Sequence, residues 1–350
     1  MSRKVLVSLV IVLITFSIVL SGCGPQQKDT EQTETEVTEK VQPVETKPYE
    51  QTQEVAVAVP SAVLALSFQQ GDSTTYKSST DTIQDYKFEQ PSKNEVKEEQ
   101  SRTLVEMKYS QDIQSVTDSS AVAKITIDAI KVLIKERNEV KLDFDSTRDE
   151  DKASPLSQLI GKGYTINIAS DGKVTKVTDT DEIRRAVKSG YEAQVAKKII
   201  LDDQNIIKRH EIVSLPDTEN AEVTEGESWS RIVPSHKRLL EQKSFEKRYT
   251  LENINEDKQV AKVEMEASET DKPAPGAAPS GGFGIMARMF DTQETYEGVM
   301  KFDLASDKVI KSDEKFVATY IATDKPKTEG AAPPSLVMGL THHVVLEKVD

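Results

Sequence analysis

Ile168-Ala169-Ser170-Asp171-Gly172-Lys173-Val174 decides how this chain is read, because Leu304-Ala305-Ser306-Asp307-Lys308-Val309 nearly repeats it. A second pair of matches lies upstream. Val122-Ala123-Lys124-Ile125-Thr126-Ile127 precedes the first copy, and Val260-Ala261-Lys262-Val263-Glu264-Met265 precedes the second. The upstream pair is offset by 138 residues and the downstream pair by 136. Two matches at nearly one offset argue for an internal duplication.

Both copies alternate with period two. Ala123, Ile125 and Ile127 face one way, as do Ala261, Val263 and Met265. Tyr164, Ile166 and Ile168 form a further apolar set, matched by Met300, Phe302 and Leu304. Such alternation predicts antiparallel strands with one buried and one wet face. Asp171-Gly172 is a hairpin turn signal, and the second copy, one residue shorter at Asp307-Lys308, predicts a different turn. Gly71-Asp72-Ser73 and Gly226-Glu227-Ser228-Trp229 read as the openings of the two copies. Further strands are expected at residues 76–88, 101–109, 140–144, 244–251, 315–321 and 340–349.

Between the copies the period changes. Ile183, Val187, Tyr191, Val195 and Ile199 are spaced four apart, behind Asp179, Asp181 and Glu182. This predicts a helix over about 181–208, broken near Gly190, with its apolar stripe on the inner face of the sheet. A short helix is expected at 155–160. The fold class is therefore α+β, mostly β: two tandem antiparallel curved-sheet modules, half-barrel-like, with an amphipathic helix between them. The expected divisions are a signal peptide at 1–22, an acidic disordered tether at 23–58, repeat 1 at 59–178, a connecting helix at 179–215 and repeat 2 at 216–350.

Arg3 and Lys4 precede a sixteen-residue apolar run, too short to span a bilayer and suited to a signal peptide. It ends in Leu20-Ser21-Gly22-Cys23, which resembles the lipobox of bacterial lipoproteins. The resemblance implies that Cys23 becomes the first mature residue and carries palmitate-type acyl chains, a stable membrane anchor. Gly24 rather than Asp follows the cysteine, which favours the outer membrane if the host is Gram-negative. Residues 24–54 hold eight acidic and three basic residues and almost no large apolar side chain. Such a segment cannot bury enough surface to order itself.

The formal net charge of −14 becomes −16 once Arg3 and Lys4 are removed with the signal. An acidic surface repels nucleic acid, so no nucleic-acid partner is expected. Cys23 is the one cysteine, so no disulfide forms within the chain.

Lipobox, tether and Gly-Asp opening are followed by Phe144-Asp145-Ser146, Ile160-Gly161-Lys162-Gly163, Leu215-Pro216 and Phe302-Asp303-Leu304-Ala305-Ser306. In that order they resemble an uncharacterised family of bacterial lipoproteins, known as a domain of unknown function, over most of residues 65–320. The resemblance brings no activity and no catalytic residues. By shape the arrangement is also similar to half-barrel lipoprotein carriers, an analogy at the level of fold alone.

No zinc-protease, nucleophile-elbow, phosphate-loop or dinucleotide pattern is present. His342 and His343 are adjacent, so on a strand they point to opposite faces and do not chelate one metal together. The run Asp143, Asp145, Asp149, Glu150 and Asp151 reads as solvated turn charge rather than a calcium loop. Neither a metal nor another cofactor is expected, and no catalytic residue is assigned. Phe283, Ile285, Met286, Met289 and Phe290 form an apolar cluster, and Trp229 is the lone tryptophan. These six are the candidate groove residues if a hydrophobic ligand is bound. The expected role is a membrane-anchored, non-catalytic binding or scaffold protein whose partner is a hydrophobic ligand or another envelope protein. The alternatives are a lipid carrier with a concave groove and, further off, a hydrolase with dispersed catalytic residues.

Overall fold

The computed structural model describes residues 59–235, 243–255, 257, 259–275, 289–323 and 332–349. Leu20, Ser21, Gly22 and Cys23 lie outside the described residues, as do Phe283, Ile285 and Met286. Every described residue belongs to one compact unit, Val57–Asp350.

The strands are β1 (Ser61–Val63), β2 (Ser73–Gln90), β3 (Glu95–Val116), β4 (Ser120–Glu136), β5 (Glu139–Asp145), β6 (Gly163–Ala169) and β7 (Val174–Thr178). After the connector come β8 (Glu222–Thr224), β9 (Ser228–Pro234), β10 (Ser244–Asn255), β11 (Val260–Thr270), β12 (Asp291–Asp303), β13 (Lys308–Thr323) and β14 (Ser335–Val349). A 3-10 turn at Pro155–Leu159 takes the place of the short helix expected there.

One antiparallel sheet runs β9-β10-β11-β12-β13-β14-β2-β3-β4-β6-β7, with β5 hairpinned onto β4. The two copies are halves of this sheet. Strands carrying matched sequence hold matched places: β4 pairs with β6 as β11 pairs with β12. β14 joins the halves by pairing with β2. The sheet does not close, and β7 and β9 are its two ends.

The alternation read from sequence is the alternation of burial. Ala123, Ile125, Ile127, Tyr164, Ile166, Ala261, Val263, Met300 and Phe302 are all buried. In β4 the buried set shifts to Ile130, Val132 and Ile134, because a bulge opposite Lys108 and Tyr109 moves the register by one residue. These side chains form one core with those of the connector, so the sheet curls around it.

The connector is not one helix. It is α1 (Thr180–Ala186), α2 (Tyr191–Val195) running into a π-turn at Ala196–Ile200, and α3 (Asp203–His210). Gly190 breaks the chain at φ +89°. The carbonyls freed at the second break are met by side chains: Arg184 donates to Leu201 O, Arg209 to Ile200 O and Asn205 to Lys198 O. Asp202 caps α3 through the Gln204 and Asn205 amides. Ile199 is only half-buried beside the fully buried Ile200, while Ile183, Val187 and Val195 point inward as expected. Tyr191 does not; the break changes the helical phase and leaves it 40% exposed.

Residues 212–217 fill the gap between the sheet ends. The Ile212 amide donates to Gly172 O, and Arg231 on β9 donates to Val213 O and Leu215 O. Asp217 accepts from both Lys173 and Arg231, one carboxylate bridging the two halves. The N-terminal segment crosses the same end. β1 pairs with β8, Leu66 N donates to Ser170 O, and Ser67 N donates to Asp307 O. Both copies of the Ala-Ser-Asp turn therefore hold this segment.

The two turns differ as their lengths imply. Gly172 sits at φ +80°, whereas in the second copy Asp307 itself takes φ +50°. A Cβ on Gly172 would lie 2.6 Å from Ile212 O. Gly172→Ala is expected to destabilise the fold by about 1–3 kcal/mol through backbone strain and overlap. A lowered urea midpoint at unchanged m-value checks this; an unchanged midpoint contradicts it.

Candidate functional site

Two buried polar clusters stand out on the inside of the sheet. The first lies at the end crossed by the N-terminal segment. Tyr76 on β2 and Tyr109 on β3 are register partners, with ring centroids 5.9 Å apart. His210, the last residue of α3, is 3% exposed and meets Tyr109 edge-on at 4.6 Å and 80°. Its Nε2 lies 2.7 Å from the Tyr164 hydroxyl, while Nδ1 is buried without a hydrogen-bond partner among the described residues. Burial, aided by the Arg209 charge, holds the His210 pKa well below 6.5. Burial pushes the Tyr76 pKa up to about 12 and that of Tyr109 well above 10. The Tyr76, Tyr109 and His210 rings, with Leu66, Phe68 and Ile212, line a cavity of about 20 Å³. Its rim is polar: Lys308 donates to Thr74 Oγ1 at 3.0 Å and lies 3.6 Å from Asp72.

The second cluster is in the second half. Lys247 on β10 is buried and pairs with Glu314 on β13 at 2.5 Å, reaching across two intervening strands. Gly298 on β12 makes that reach possible, since a Cβ there would come within 3.1 Å of both Glu314 Cγ and Met265 Cε. The Lys247 ammonium also sits 4.5 Å from the Tyr296 ring centroid. Burial opposes its charge, but Glu314 outweighs burial and the pKa stays above the usual lysine value. Trp229 stacks on its register partner Tyr249 at 5.8 Å and 20°. Trp229 Nε1 and Tyr249 Oη are both buried donors without a partner among the described residues.

Of the six candidate groove residues, the three described ones, Trp229, Met289 and Phe290, do not share one apolar cluster. Trp229 is half-buried against the main core. Phe290 packs edge-on against Tyr320 in a separate smaller cluster, and Met289 is 55% exposed. A larger pocket, about 700 Å³, lies on the connector and is lined by charge: Asp181, Arg184, Arg185, Lys197, Asp202 and Asp203. His342 bonds Thr82, and His343 bonds Asp313. At the acidic run, Arg148 occupies the centre, bonded to Asp143 and Asp151. Sequence reasoning passed over His210, Lys247 and Tyr249. His210 had a signal, standing four residues after inward Ile206. Lys247 and Tyr249 had one too, alternating with inward Phe245 and Leu251 on a strand.

Fold and site define an open antiparallel sheet wound around its own helical connector, with buried polar clusters on the inside. The chain belongs to a family of unknown function, DUF6263, whose model matches residues 118–306. That span runs from the turn before β4 to the turn after β12 and omits the strands that join the halves. No curated protein matches the chain. A solved structure described as lipid–protein interactions in lipovitellin aligns with 81% of this chain and 26% of its own, at 11% identity and a TM-score of 0.39.

Replacing Glu314 with Leu leaves Lys247 buried and uncompensated, and is expected to cost roughly 3–5 kcal/mol. The double variant Lys247→Met/Glu314→Leu should recover most of that loss in urea unfolding. A double variant no more stable than the single would contradict the assignment.

His210 is kept neutral in the folded state, while an unfolded histidine takes up a proton near 6.5. The unfolded chain thus binds the extra proton. This contribution to stability is fully present above about pH 6.5 and is lost as pH falls below it, by up to ~1.4 kcal/mol per pH unit. Urea midpoints between about pH 8 and about pH 5 should fall less steeply in His210→Phe than in the wild type. Parallel profiles would contradict this.

Proposed function

We propose that this protein is a lipid-anchored lipoprotein of the bacterial envelope whose folded body binds or scaffolds other envelope components and is not an enzyme. One observation carries the binding-or-scaffold part: the inside of the sheet is already occupied by the chain's own connector, whose Ile183, Val195, Ile200 and Ile206 join the sheet residues in one core. The cavity beneath the N-terminal segment is water-sized, far below the ~300 Å³ of a typical ligand pocket. A partner is therefore met on the outside of the body. Leu20-Ser21-Gly22-Cys23 supports the anchor, and the acidic, apolar-poor composition of residues 23–58 suits a spacer. Gly24 after the cysteine favours the outer membrane in a Gram-negative host.

Native mass spectrometry of the protein extracted from envelopes tests both parts. The wild type should carry the mass of acyl chains on a chain beginning at Cys23, and Cys23→Ser should lose it. The body should carry no further lipid. An unmodified Cys23 would remove the anchor, and a stoichiometric second lipid retained by Cys23→Ser would replace scaffolding with carriage.

A further inference from the structure

We propose that the free edge of β9 docks a second copy of this chain, the two β9 strands pairing antiparallel about a two-fold axis at Ser230. The duplication identifies the backbone groups involved. Each copy opens on a glycine bulge of the same kind. Gly71 N donates to Ile113 O and Ile113 N to Asp72 O; Gly226 N donates to Leu251 O and Leu251 N to Glu227 O. The two glycines sit at φ +90° and +85°. β9 therefore stands to β10 as β2 stands to β3, and hydrogen bonding alternates along both from the same starting point. In β2, Ser73, Thr75 and Lys77 turn their backbone away from β3, and Thr75 and Lys77 lie opposite Val349 and Glu347 of β14. Their counterparts in β9 are Ser228, Ser230 and Ile232. β9 has no second neighbour in the sheet. Among the described residues, no backbone bond reaches these three from residues 212–217, which meet β9 through the Arg231 side chain. Ser230 is exposed.

The edge of β5 is treated differently. There the Asp145 amide donates to the Asp151 carboxylate, and the Asp143 carbonyl accepts from Arg148. An edge left open where another is blunted is a template for a further strand. The sequence Ser228-Trp229-Ser230-Arg231-Ile232-Val233-Pro234 selects its own copy, because it fits itself in one register. Ser230 meets Ser230 and Ser228 meets Ile232, each opposed pair exchanging two bonds, while Trp229 lies across from Arg231, an aromatic against a cation. Sliding one way sets Arg231 against Arg231 and brings in Pro234, which has no amide to give. Sliding the other way brings in Gly226, whose amide is spent on Leu251. Two-fold pairing closes on itself and stops at the dimer.

A Cys23→Ser background makes an engineered thiol the sole one, so the result does not depend on the lipid anchor. Opposed Cα atoms about 5.5 Å apart suit a disulfide. Ser230→Cys, oxidised in cells before lysis, should therefore give a linked dimer, and Ser268→Cys, exposed on β11, should not. Adding Ile232→Pro removes intermolecular donors without touching the β9–β10 ladder, and should lower the dimer yield about tenfold. Equal yields from the two thiols, a yield untouched by Ile232→Pro, or a mixed disulfide with another polypeptide in place of the dimer would overturn the proposal. Sedimentation equilibrium of the Cys23→Ser chain, with β9 unaltered, should show reversible dimerisation; a monomer at every concentration would overturn it as well.

Discussion

The pairing of the last strand with the first long strand is the constraint on which everything else depends. β14 lies against β2 from Ser335–Glu89 to Val349–Thr75 without a break in register. Residues more than two hundred positions apart in sequence are thereby made neighbours. Two modules that might have folded side by side become one sheet. Its ends are then forced to be β7 and β9, the strands that flank the connector. The connector has one place to go, between those ends and against the inner face, and its apolar stripe is buried there.

An open sheet leaves polar backbone at its ends, and a short helix leaves carbonyls at its breaks; buried, each needs a partner. Arginine supplies many of them. Arg184 and Arg209 meet the carbonyls at the connector's second break, and Arg231 meets those of residues 213 and 215. A guanidinium suits this work because it carries several donors in a fixed plane. Asp217 then ties Arg231 to Lys173 across the gap. The charged residues around the connector are thus explained by backbone satisfaction, and the charged pocket beside them is a consequence of that packing.

The sheet was legible in the sequence because period-two burial is local. Ala123, Ile125 and Ile127 state their face within six residues, and their repeat in Ala261, Val263 and Met265 states the duplication. The connector was half legible. Its stripe predicted that Ile183, Val187 and Val195 turn inward, and Gly190 predicted one break. The second break depends on Arg184 and Arg209, whose targets are set by tertiary packing, whereas Tyr191 falls out of phase because the Gly190 break resets the helix just before it. The clusters were least legible. Lys247 and Glu314 are 67 residues apart and meet only because Gly298 leaves room for them. Trp229 was singled out as an aromatic, but its partner Tyr249 follows from register, which no local pattern states. The lipobox, by contrast, is a reading of sequence alone.

Trp229 lies in the second half, while backbone circular dichroism reports strands from both halves. Following both signals through one equilibrium urea titration of the unit Val57–Asp350 tests whether the halves form a single structure. Joined through β14 and β2, they should lose both signals in one coincident transition. Fluorescence and circular dichroism transitions at separate urea concentrations would contradict the account, because the halves would then stand independently.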